Sequence, residues 1–99
     1  MQQVPPYLQH FQERDPEFCQ MVMALQQKIR APGALDAKTK ALITLALDTA
    51  GGHPDGVKSL AGRARSLGAS EAEIVETLRL AFMVSGVPGL VTSRAAFET

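Results

Sequence analysis

The sequence predicts an all-α fold of five or six helices. Apolar residues recur at helical spacing along most of the chain, and no segment sustains the strict alternation of a half-buried strand. Helix-start and helix-stop residues fall in matched pairs: Asp15-Pro16 with Pro32-Gly33, Asp36 with Gly51-Gly52, and Ser70 with Gly86. No low-complexity linker or long-period repeat divides the 99 residues, a length that suits one domain spanning 1–99.

Taken in order, Pro5-Pro6 opens a short helix with Tyr7, Leu8 and Phe11 on one side. Asp15 caps the next helix and Pro16 takes its first position, where no N–H is needed. Phe18, Val22, Leu25 and Ile29 then form its apolar stripe. Asp36 starts a third helix running to Ala50, apolar over most of its girth through Leu42, Ile43, Leu45, Ala46 and Leu47. Such a helix is buried in its own protomer or covered by a second copy. Gly51-Gly52 supplies the left-handed turn that ends it. A fourth helix from Val57 to Leu67 spaces Val57, Leu60, Ala61 and Ala64 along one face, and its small residues admit a close neighbour. Gly68 closes it, and Ser70 with Glu73 forms a capping box for a fifth helix from Glu71 to Ser85. Gly86-Val87-Pro88-Gly89 breaks that helix, and Leu90 to Phe97 forms a last short one.

Composition excludes several function classes. Lys+Arg and Asp+Glu both number 10, and the basic residues are spread over several segments, so there is no basic face for nucleic acid. Zero formal net charge also removes one barrier to self-association. A domain this small buries a modest core, which a second copy would extend. No run approaches the ~18 apolar residues of a membrane span. The start of the chain has neither the basic residues nor the apolar run of a signal peptide. With Cys19 as the only cysteine there is no internal disulfide, which fits a reducing cytoplasm.

The chemically suggestive segment is the corner His53-Pro54-Asp55-Gly56 after Gly51-Gly52. Around it stand Leu35-Asp36-Ala37-Lys38-Thr39-Lys40, Ala41-Leu42-Ile43-Thr44-Leu45-Ala46 and Leu67-Gly68-Ala69-Ser70-Glu71-Ala72-Glu73-Ile74. This text resembles the alkylhydroperoxidase D-like and carboxymuconolactone decarboxylase family. The resemblance implies that family's helical fold and a homotrimer or homohexamer. Peroxidatic members of the family carry a Cys-x-x-Cys at this corner, a histidine four residues past the second cysteine, and a glutamate twelve residues before the first. The corresponding positions here are His53, Gly56, Leu60 and Ala41, so every reactive group of that set is replaced. Attack on a peroxide in that chemistry needs a thiolate, which this corner does not supply.

Three functions follow as expectations. The first is a non-peroxidatic oligomer that binds a small apolar molecule or serves as a scaffold. In the second, a cysteine-independent enzyme acts on a lactone or keto acid with His53 as general base and Asp55 orienting it; the decarboxylase branch of the family likewise works without a cysteine pair. The third is a peroxidase acting through Cys19. Each residue also has a plainer role. His53 can be a solvent-facing turn residue, and Asp55 can complement the helix dipole. Cys19, beside Phe18 and Val22, can be a core residue. His10 is expected to be exposed, and Met21, Met23 and Met83 fill core or interface. The histidines, Cys19 and the carboxylates show no metal-ligand spacing, so neither metal nor cofactor is expected.

Overall fold

The computed structural model describes residues 3–98. Among them are six α-helices, one terminal 3₁₀ turn and no strand. The chain divides into two compact units, Met1–Ala31 and Pro32–Thr99.

The first unit is a helical hairpin, α1 (Pro6–Arg14) and α2 (Pro16–Arg30). Asp15 caps α2 by accepting from the Phe18 backbone N–H at 3.2 Å. Leu8, Cys19 and Met23 form the buried seam, with Val4 and Val22 against it. Phe11 meets Phe18 edge to face at 5.0 Å, and Gln26 donates to the Tyr7 hydroxyl at 2.9 Å. This corrects the expected stripe. Phe18, Leu25 and Ile29 are exposed, and Val22 only flanks the seam. Within this hairpin the reason is length: α1 has 9 residues against 15 in α2, so it covers only the early turns of its partner. Cys19 and Met23, four residues apart, hold the face that α1 reaches.

The second unit contains α3 (Ala37–Gly51), α4 (Pro54–Ser66), α5 (Glu71–Ser85), α6 (Val87–Ser93) and the 3₁₀ turn Arg94–Phe97. Helix α3 lies against both α4 and α5, and the terminal turn returns to α4. Leu45, Val57, Ala61, Ala64 and Ile74 are fully buried in one cluster with Ala41, Leu78, Ala95 and Ala96. Alanines at successive turns of α4 let its neighbours approach closely. Asp36 caps α3 by accepting from the Thr39 N–H at 2.8 Å, and that bond holds its carboxyl below the ordinary range. The capping box of α5 is complete: Glu73 N–H donates to Ser70 Oγ at 3.1 Å, and Ser70 N–H to Glu73 Oε1 at 2.8 Å.

Two helix starts differ from the expectation, and the first is that of α4, which begins at Pro54 rather than Val57 with the proline in its first position. Helix α6 begins at Val87 rather than Leu90, because Gly86 alone makes the break and Pro88 falls in the first turn of the new helix. A proline there costs no hydrogen bond. The apolar girth of α3 and α5 is likewise divided. Ala41, Leu45 and Thr49 of α3 and Ile74, Leu78 and Ala81 of α5 are buried, whereas Leu47, Leu80, Met83 and Val84 face outward. Among the described residues, no helix is long and apolar enough to cross a membrane.

Candidate functional site

The corner between α3 and α4 is built by backbone closure. Gly52 adopts φ +76°, which a side chain would disfavour. The chain then folds back so that His53 N–H donates to the Asp48 carbonyl at 2.9 Å, and Gly52 N–H to that of Thr49 at 3.3 Å. This pair of bonds is a Schellman closure, and it lays the residue after the turn over the one five positions earlier. Here those residues are His53 and Asp48. Their side chains meet as well, with Nδ1 of His53 2.9 Å from Oδ1 of Asp48. The His53 side chain is 65% exposed and that of Asp48 27%.

Two glycines make room for the pair. A Cβ added at Gly51 would lie 2.9 Å from Cε1 of the His53 ring. A Cβ added at Gly56 would fall against the Asp48 carboxylate, 2.8 Å from its Cγ. The Asp48 side chain therefore occupies the space that a side chain at position 56 would need. His53 stands at the N-cap of α4, yet its ring makes no capping bond, being turned to Asp48 instead.

Asp48 is the residue that sequence reasoning missed. Asp55, expected to orient His53, is exposed in the first turn of α4, and the imidazole pairs with Asp48 instead. The signal was present: Gly-Gly after a helix implies the Schellman closure, and the closure implies which residues become neighbours. Ala41 is 3% exposed and belongs to the core cluster, against which Leu60 packs. Both positions serve the interior rather than the corner's polar surface. Cys19 is fully buried in the helical hairpin, with Sγ 3.9 Å from the Leu8 carbonyl oxygen. His10 is exposed. Met23 is buried, while Met21 and Met83 are exposed. No group of three or more His, Cys, Asp or Glu residues gathers at metal-binding distance among the described residues.

Comparison with known proteins fits this architecture. No curated protein matches the chain. Among solved structures, an apo carboxymuconolactone decarboxylase family protein from Legionella pneumophila is 33% identical, with a TM-score of 0.83 over 91% of this chain and 80% of that one. A carboxymuconolactone decarboxylase family protein from Thermotoga maritima is 30% identical, with a TM-score of 0.81 over 91% of this chain and 77% of its own. The family itself matches residues 16–99, which take in α2 and the whole of the second unit. With one cysteine in 99 residues, the chain has no Cys-x-x-Cys, and it belongs to the carboxymuconolactone decarboxylase family.

Proposed function

We propose that this chain is a non-peroxidatic, self-associating member of its family, a scaffold or small-molecule-binding protein in which the thiol machinery has been replaced. One observation carries the reading: Asp48 fills the space beside Gly56 and pairs with His53, so both positions of the missing cysteine pair serve a carboxylate–imidazole contact. The burial of Cys19 supports it, since a peroxide must reach a sulfur to oxidise it. Apolar Ala41 and Leu60 in and against the core favour a filled interior, or an apolar ligand, over a reactive one. Self-association draws support from Leu80, Met83, Val84, Val87 and Val91, all 60–83% exposed on α5 and α6. A homotrimer or homohexamer in the cytoplasm is the expected form.

Hydroperoxide consumption with a thiol reductant tests the first part. No turnover above the buffer rate is expected, and Cys19→Ser should change nothing. Turnover abolished by Cys19→Ser would refute the reading. Light scattering tests the second part, with a mass above that of one 10.6 kDa chain expected.

A second reading is favoured by the same contact. An imidazole held by a carboxylate and open to solvent is the arrangement of a cysteine-independent base, the family's decarboxylase or lactone-type chemistry being the nearest precedent. Loss of turnover on such a substrate in His53→Ala would establish it.

A further inference from the structure

We infer that Asp48 and His53 form a reactive dyad in which Nε2 of His53 is the attacking atom and Asp48 the positioning residue. The inference rests on the second reading above and extends it to activated acyl compounds as a substrate class. An ionised carboxylate can only accept hydrogen bonds, so across the 2.9 Å contact the ring must donate through Nδ1. In the neutral imidazole the lone pair is then fixed on Nε2. The His53 side chain is 65% exposed, so the imidazole stands at the surface. The main chain at His53 is fixed by its N–H bond to the Asp48 carbonyl at 2.9 Å, and Gly51, lacking a Cβ, leaves room for the ring beside it.

Gly56 is the third member of the device. Any side chain there collides with the Asp48 carboxylate, the group that holds the tautomer. Glycine at position 56 leaves the carboxylate where it meets the ring, and a side chain there would displace it.

The chemistry closes without another reagent than water. Nε2 bonds to the acyl carbon of an activated aryl ester as the carbon–oxygen bond to the leaving phenoxide breaks, and the acyl-imidazolium gives up its Nδ1 proton through solvent to that phenoxide, leaving a neutral acyl-imidazole. Water then attacks the acyl-imidazole, releasing the carboxylic acid and restoring the ring.

His10 is an internal control, because it is the chain's only other histidine and, among the described residues, its ring meets Phe11 rather than a carboxylate. The test uses 4-nitrophenyl acetate, with acylation at each histidine read by mass spectrometry and the ring tautomer by ¹⁵N–¹H correlation spectra. In the wild type, His53 should appear as the Nδ1–H tautomer and be acylated faster than His10. Asp48→Asn and Gly56→Ala should each slow acylation of His53 by about 10²-fold or more, the low end for positioned acid–base groups, and leave His10 unchanged. Unchanged helical circular dichroism in both variants separates this loss from unfolding. An Nε2–H ring in the wild type would overturn the dyad itself. An Nδ1–H ring no more reactive than His10 would overturn the acyl chemistry alone, whereas the reading of His53 as a general base falls only if His53→Ala leaves turnover of a lactone or keto acid unchanged.

Discussion

The molecule turns the same corner twice and uses it differently each time. Between α4 and α5, Gly68 takes φ +96°, and Ala69 N–H donates to the Ala64 carbonyl at 2.9 Å. Between α3 and α4, Gly52 and the His53–Asp48 bond repeat that closure. In the first case the two residues brought together are Ala64 and Ala69, both in the core cluster. Such a contact is the usual companion of the motif. In the second they are an aspartate and a histidine at the surface. The following helix starts differ in the same sense. Ser70 and Glu73 satisfy one another's backbone, Lys38 reaches Glu73 at 3.1 Å, and Arg65 grips Glu71 at 2.7 Å. At α4 the N-cap side chain makes no capping bond. One corner is closed for stability; the other leaves its side chains available.

The largest test of this contrast is Ile74→Ala. Ile74 is fully buried beneath the stapled corner, and its truncation should cost roughly 2–5 kcal/mol in urea unfolding. A cost no larger than that of a surface change would mean the corner does not anchor the core. Ser70→Ala comes next, with a loss of about 1 kcal/mol from the missing cap, read as a lower melting temperature. His53→Ser should act in the opposite direction. A hydroxyl at an uncapped helix start should raise stability by about 0.5–1 kcal/mol while abolishing the contact with Asp48. A clear loss of stability would show instead that His53 holds the fold together.

The smallest effect is a pH slope. Backbone hydrogen bonding from Ser70, then Lys38, holds Glu73 below the usual glutamate range, and Arg65 does the same for Glu71. A depressed folded-state pKa contributes stability above the unfolded value and loses it as pH falls through the folded one. Acid titration of the melting temperature should therefore fall less steeply in Glu73→Gln than in the wild type below the ordinary glutamate range. Glu71 is exposed and Glu73 is only partly covered, so solvent screening should keep the difference modest.

Most of this contrast could be read from sequence, within limits set by distance along the chain. Caps at Asp15, Asp36 and Ser70 involve partners three residues away, and each lies where the sequence places it. The stops at Gly52 and Gly68 are equally local. The buried face of α2 was not legible, because Phe18 and Cys19 are both apolar and only the short reach of α1 selects Cys19. Nor was the start of α6, where Pro88 reads as a breaker but acts as a first-turn residue. At the corner, His53 could be named and its partner could not. Asp55 is closer along the chain, but the Schellman closure carries the ring back over Asp48.

Gly56 and Asp48 lay claim to a single volume, and that ties their histories together. A descendant that acquired a thiol at position 56 while keeping the aspartate would inherit a steric conflict before any benefit. One that first lost the aspartate could take the same step unhindered. The order of the two substitutions thus matters more than their number. A thiol gained at this bend would have to push the aspartate off the histidine before it could act.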